Sequence, residues 1–268
     1  MRAVRYQVAF QGEIMPHHST KRSAVAVVAT MALTACGGGG GFGGYSTTAA
    51  PATTTTAPAT PPAGSYDLHA AMAALVKSGL TVKVNLSGTA IANGTSNSFT
   101  GTGTWTLYAA TSGTFNGMTA EMQAESISGT VTVAGQSAPY TSNVVDAYDS
   151  TTALLGESTS SEFDAASAPI TIPTTAGTSP TELGTLSRYT NSTRSVVLGT
   201  TQVSVVLSSA PASTGAAEVV QFTFTAYDSN QALVETDTFS YNLSESSALT
   251  LNSATVQNAS GSLTATPQ

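Results

Sequence analysis

Leu80-Thr81-Val82-Lys83-Val84-Asn85-Leu86 and Phe99-Thr100-Gly101-Thr102-Gly103-Thr104-Trp105-Thr106-Leu107 are the stretches whose reading decides the fold. In both, apolar residues or glycine alternate with polar ones at a period of two, the pattern of a strand with one buried and one solvated face. Asn93-Gly94 lies between them. Both central residues of a type I′ turn need positive φ, so this dipeptide predicts a hairpin. Trp105 falls on the Phe99/Leu107 face, which is read as inward. The threonines opposite suit a solvated pleat without adding charge.

The pattern recurs along the rest of the chain. Leu86–Ser96 is echoed by Ile127–Ser137, and Ala147-Tyr148-Asp149-Ser150 by Ala226-Tyr227-Asp228-Ser229. The offsets are 41 and 79 residues. Unequal offsets mean reuse of a hairpin design and not a regular solenoid. Alternation continues through Ser195–Leu207, Val219–Tyr227, Leu233–Leu243 and Leu249–Val256, and nothing after residue 79 reads as a long amphipathic helix. Many short strands with Gly, Ser and Asn turns and no helical crossovers predict an all-β protein, an antiparallel β-sandwich or barrel-like sheets. Pro169, Pro173, Gly177 and Pro180 suggest a weak division into two related β halves sharing a core, 65–165 and 166–268. A membrane-spanning barrel is the poorer reading, because aromatic girdles are not evident.

One short helix is expected ahead of the strands. Leu68, Met72, Leu75 and Val76 recur at helical spacing, with Ser65 as N-cap, Asp67 in the first turn, Lys77 near the end and Gly79 as the stop. His69 lies beside the apolar stripe, and it is the one histidine after Cys36.

The N-terminal quarter has a different character. Lys21-Arg22 precede an uncharged, mostly apolar run from Ser23 to Leu33, about half the length a bilayer-spanning helix needs. A basic flank, a short apolar run and small residues before a break describe a secretory signal peptide over residues 1–35. Glu13 and the mixed stretch before the basic pair place the expected translation start at Met15. The run ends in Leu33-Thr34-Ala35-Cys36, which resembles the lipobox of bacterial lipoproteins and contains the chain's sole cysteine. The resemblance implies cleavage between Ala35 and Cys36 and acylation of Cys36. Two or three acyl chains bind a membrane far more durably than one. By resemblance to lipoprotein sorting in Gram-negative bacteria, Gly37 favours the outer membrane, with the periplasmic or surface face left open. Residues 36–64, rich in Gly, Thr, Ala and Pro, read as a disordered tether spanning about 30 Å, whose Ser/Thr/Pro composition also suits O-glycosylation.

Only 9% of residues are charged, and the formal charge is −7. From Cys36 onward, four Lys and Arg stand against fourteen Asp and Glu, a net of −10. Nucleic acid is excluded as a partner, because its binding needs clustered cations. A single cysteine rules out an internal disulfide.

The remaining chemistry is sparse. Asp149 and Asp228 occupy matching turns, where an aspartate caps backbone N–H groups two residues on; the functional alternative is calcium, which wants six to eight oxygens, a few of them from Asp146 with Asp149 or from Asp228 with a neighbouring loop. No cofactor is implied. Serine hydrolysis lacks its Gly-x-Ser-x-Gly element, and no spacing singles out the carboxylate pair of a glycosidase. Trp105, Tyr108, Phe115 and Tyr140 are read as core more than as a sugar platform. The Gly/Thr/Ser-rich β region is similar to that of uncharacterised Gram-negative envelope lipoproteins. The expectation is therefore a non-enzymatic, membrane-attached binding or structural domain with a protein or glycan partner. Alternatives are a carrier of an apolar ligand in a sheet-enclosed cavity, or a glycan-acting protein.

Overall fold

A computed structural model describes residues 66–268 apart from 93, 211–215 and 217. The expected signal peptide, its start at Met15, the Ala35/Cys36 cleavage and lipidation site, the tether with its sugars, and the Ser65 cap lie outside the described residues, as does Asn93.

Among the described residues the chain forms one helix, α1 (Leu68–Ser78), and thirteen strands. Consecutive strands pair antiparallel almost throughout. They are β1 (Leu80–Ala92), β2 (Thr95–Leu107), β3 (Thr111–Phe115), β4 (Met118–Val133), β5 (Gln136–Tyr148), β6 (Leu154–Ser158) and β7 (Phe163–Ile170), then β8 (Thr181–Tyr189), β9 (Val197–Ser209), β10 (Glu218–Asp228), β11 (Leu233–Leu243), β12 (Leu249–Asn258) and β13 (Gly261–Pro267). The sheet closes on itself where β1 pairs with β13, from Val84 opposite Pro267 to Ala90 opposite Gly261. Of the two architectures open to the sequence, the chain takes the barrel. Stretches 65–165 and 166–268 both supply strands to it, joined within β7.

β3 stands outside the twelve-stranded ring. β2 pairs with β4 over Phe99–Leu107, and β3 takes up the same edge of β4 over Thr111–Phe115. Phe115 lies on the outer wall, stacked on Phe163 at 4.7 Å and packed with Ala120, Ala147, Leu155 and Ala165. Gly156 makes this possible: at φ 151° it leaves open the space into which a Cβ would project within 2.8 Å of the Phe115 ring.

The alternation read from sequence sets which face is which. Val84, Leu86, Phe99, Trp105, Leu107, Ile127 and Val131 are buried within the ring. Their neighbours Thr81, Lys83, Asn85 and Ser87 stand opposite Thr106, Thr104, Thr102 and Thr100 on the outside. A membrane-spanning barrel would carry its apolar side chains outward. This wall presents hydroxyls.

Eight strands enclose an interior that side chains just fill, and twelve enclose more. Here α1 helps fill it. Leu68, Ala71, Met72 and Leu75 are buried in the main core. The predicted stop holds: Gly79, at φ 70°, donates to Leu75 O, and a Cβ there would lie 2.4 Å from Leu107 O. The N-cap differs from expectation. Asp67, extended at φ −115°, accepts from Ala70 N at 3.0 Å, and its own N–H is held by Ser247 Oγ at 3.0 Å. The helix therefore starts at Leu68, the first residue of the apolar spacing, with Asp67 as its cap and not in its first turn. Gln123, 2% exposed, donates its side-chain amide to Leu75 O, Val76 O and Tyr108 O. It adds a second donor to helix-end carbonyls that Gly79 N and Ala110 N already bond, and ties the end of α1 to the segment after β2.

The matched Ala-Tyr-Asp-Ser elements form the same turn. Thr152 and Gln231 both have φ 63°, and each backbone bond of one has its counterpart in the other. A third copy escaped the sequence reading: Ser244-Glu245-Ser246-Ser247-Ala248-Leu249, in which Ser244 Oγ replaces the aspartate carboxylate and accepts from Ala248 N at 3.0 Å.

Candidate functional site

The interior of the ring is not filled. A cavity of about 110 Å³ remains, lined on the apolar side by Leu75, Ile127, Val203, Phe222, Phe224 and Phe239. Into it also face Glu125 of β4, Asp146 of β5, Glu157 of β6 and Asp237 of β11, together with Tyr140, Tyr148 and Tyr241. No Lys, Arg or His lines it among the described residues. Register explains the convergence. Gln123 opposes Asp146, which opposes Glu157, so side chains distant in sequence share one inward row.

Electrostatics follow from enclosure. Burial pushes the Glu125 carboxyl up to about 7; the Trp105 N–H opposes this, and Glu157 and Asp237 reinforce it. Trp105 Nε1 makes no hydrogen bond of ordinary geometry, so it acts on Glu125 as a nearby dipole. Burial, then the neighbouring carboxylates, hold the Tyr148 and Tyr241 phenols well above their usual value. Burial likewise raises Tyr140, with Ser142 opposing it more weakly, and the Tyr140 hydroxyl also makes no bond of ordinary geometry. Trp105 stacks on Phe239 at 6.1 Å and lies 6.2 Å from Tyr241.

Beyond the interior lies a second opening at the end opposite α1. This cleft of about 650 Å³ is bordered by Val196, Val197 and Leu233 and floored by Arg188, Glu235 and Asn258. Glu235 borders the cleft and Asp237, the next inward residue on β11, borders the cavity. Arg188 marks the boundary: 2% exposed, it binds Glu162 and lies 3.9 Å from Asp164. The interior cavity, where polar groups converge on apolar walls, is the better candidate for a small-molecule site.

The predicted site residues lie elsewhere. Asp149 Oδ1 accepts from Thr151 N, Thr151 Oγ1 and Ala153 N, and Asp228 Oδ1 from Asn230 N and Ala232 N. Burial works to raise Asp149, but these bonds outweigh it and its carboxyl falls below the ordinary value. The backbone N–H groups of Ala232 and Asn230 lower Asp228. This is the capping role the sequence suggested. The two turns sit at opposite mouths: His69, on the helix, meets Thr151 O at 2.7 Å, while Asp228 borders the far cleft. They cannot share an ion. Among the described residues no group of three or more His, Cys, Asp or Glu is arranged to hold a metal.

The aromatic platform is not assembled. Tyr108 is exposed, Phe115 is on the outer wall, and Trp105 and Tyr140 are buried inside. The interior acids were overlooked, although a signal existed. In Leu233–Leu243, Glu235 and Asp237 occupy the same alternate positions as Phe239 and Tyr241, which puts carboxylates on the apolar face. Comparisons with protein-family models, with curated proteins and with solved structures find no match to this chain.

Proposed function

We propose that this chain is a non-enzymatic, lipid-anchored binding protein of the bacterial cell envelope, whose barrel carries a small, largely apolar ligand. The observation that supports the carrier reading is the unfilled interior, walled by Leu, Ile, Val and Phe side chains and closed at one mouth by α1. A purely structural barrel gains from filling such space, since a void forfeits dispersion contacts. The outward hydroxyls suit a domain held beside a membrane by acyl chains on Cys36. Outer-membrane attachment follows from the lipobox and Gly37.

Native mass spectrometry of the mature chain, extracted from a bacterial envelope in mild detergent, tests the carrier. A retained small molecule is expected. An empty barrel that also takes up none of a panel of small apolar compounds, from xenon upward, would overturn it. Anchoring is tested separately: radiolabelled palmitate should enter the product and fail to enter Cys36→Ser.

One observation favours a second reading, a glycan-acting enzyme. The Glu125 carboxyl is raised and shares the cavity with Glu157 and Asp237, and a raised carboxyl near a second one is what glycoside hydrolysis employs. The small volume, about 110 Å³, counts against it, because a polysaccharide needs a longer trench. Release of reducing ends from envelope polysaccharide, lost in Glu125→Gln, would move the assignment to the enzyme.

A further inference from the structure

The two mouths of the barrel differ in a way the carrier reading does not use. Among the described residues six large hydrophobic side chains are exposed, and three of them, Val196, Val197 and Leu233, border the far cleft. A fourth, Ile91, stands beside them, because its N–H donates to the carbonyl of Ser260, which borders the same cleft. Val196 precedes β9, Val197 and Leu233 open β9 and β11, and Ile91 is next to last in β1. All four therefore sit at the rim, 41–61% exposed.

Charge has the opposite distribution. Around the α1 mouth Lys77, Glu182 and Glu245 are exposed, with Asp67 and Asp149 half-buried. Among the described residues the turns at the far end bring only Arg194 and Asp228 to the surface as charges, while Glu162 is buried against Arg188.

Exposed aliphatic side chains gathered around an opening mark an interaction surface. Four of them at about half exposure fall well short of the roughly 800 Å² that each partner of a stable complex buries, which disfavours a second copy. The acidic net charge from Cys36 onward disfavours an anionic surface. A nearly uncharged aliphatic rim fits the interface of a neutral bilayer, where shallow insertion of a few side chains adds to an attachment made elsewhere.

The chain ahead of the barrel is long enough for this. A strand of 13 residues such as β1, tilted as barrel strands are, makes a wall about 30–35 Å tall. Thirty positions separate Cys36 from Tyr66. A flexible chain of that length spans about 30 Å on average and about 100 Å drawn out. It can run from acyl chains in the membrane along the wall to the α1 mouth.

We infer that the far mouth is a membrane-contact surface, at which Ile91, Val196, Val197 and Leu233 enter the interface of a zwitterionic phospholipid bilayer. The barrel then stands on this mouth with α1 away from the lipid. The inference goes beyond the proposed function, and its test needs neither a ligand in the interior nor an acyl group.

The chain from position 36 carrying Cys36→Ser owes any adhesion to its protein surface. Mixed with phosphatidylcholine vesicles and floated on a density gradient, it should travel with the lipid, equally at low and at high salt, since no charge is involved. Val197→Ser with Leu233→Ser should weaken adhesion about tenfold. Both are surface positions, and an unchanged melting temperature shows that the variant folds. Hydrogen exchange of the acylated chain on the same vesicles should slow around positions 91, 196–198 and 233–234, and not in the turn from β11 to β12 beside α1. If the Cys36→Ser chain stays out of the lipid fraction, or the double variant floats as well as the parent, the far mouth is not a membrane surface. Adhesion lost in salt, slowed exchange confined to the α1 mouth, or a dimer that the double variant turns into a monomer each overturns the inference. None of these outcomes depends on what occupies the interior, so the carrier reading stands or falls separately.

Discussion

Replacing Arg188 by Met tests the polar cluster that separates the interior from the far cleft. The guanidinium is 2% exposed and holds Glu162 directly, with a third contact from Nη1 to Tyr227 O at 3.2 Å. Asp164, 1% exposed, accepts from Thr201 Oγ1 at 3.0 Å and lies 3.9 Å from Arg188 Nε. Methionine keeps much of the side-chain volume but takes the cation away from two buried carboxylates, Glu162 above all. Removing one partner of a buried ion pair costs about 3–5 kcal/mol. For a domain of this size each kcal/mol lowers Tm by about 2–4 °C, so the variant should melt roughly 6–20 °C lower. Urea denaturation of the Cys36→Ser chain gives the free energy, and differential scanning calorimetry gives the temperature. A second variant controls for packing: Arg188→Met with Glu162→Leu and Asp164→Asn removes both carboxylate charges, and the new side-chain amide at position 164 keeps an acceptor for the Thr201 hydroxyl. It should recover most of the loss. If Arg188→Met costs under about 1 kcal/mol, or the triple variant is no more stable than the single, the cluster does not secure this end as argued.

Three further outcomes follow from the same reasoning. Glu125 has its folded-state pKa raised from 4.5 to about 7, so its ionisation opposes folding, and the penalty grows as pH rises from about 4.5 to 7 and then levels off. Glu125→Gln should therefore be more stable than the parent by on the order of 2 kcal/mol at pH 8 and no different at pH 4; equal denaturation midpoints at pH 8 would contradict this. Gln123→Leu should cost about 0.5–1.5 kcal/mol through loss of the amide bonds that tie the end of α1 to Tyr108 O, with faster hydrogen exchange in the helix as the local readout. Asp149→Ala should lose about 0.5–1 kcal/mol at neutral pH after allowance for solvent screening. Because the Asp149 pKa is lowered on folding, that contribution is present above its unfolded value and should vanish as pH falls through the folded one.

Features carried by neighbours in sequence were legible from it. Period-two alternation put Trp105 inside, Gly79 ended the helix, and Asp149 and Asp228 read as turn caps. Features depending on which strands meet were not. Nothing in Lys83-Val84-Asn85 says that its partner is Thr266-Pro267, so the choice between sandwich and barrel stayed open. Ser247, 180 residues from Asp67, helps fix the helix start, and no local pattern announces it. The acidic interior lay between these cases. Each carboxylate sat at an inward position, but that they share one cavity follows from closure of the ring. The third turn was hidden because serine can do the work of aspartate with a hydroxyl.

Closure through β1 and β13 has a kinetic side. The pairing joins residues about 180 positions apart, and contacts so distant in sequence are slow to form, because loop-closure entropy opposes them before they stabilise anything. The ring is therefore expected to close only after the final strand has emerged, which makes β13 a latch. A chain stopped at Asn258 would present two unpaired borders, along β1 and β12, each a template for joining another molecule. Loss of residues 259–268 should turn a closed barrel into an aggregating species, although every residue around the cavity except Leu263 and Ala265 would still be present.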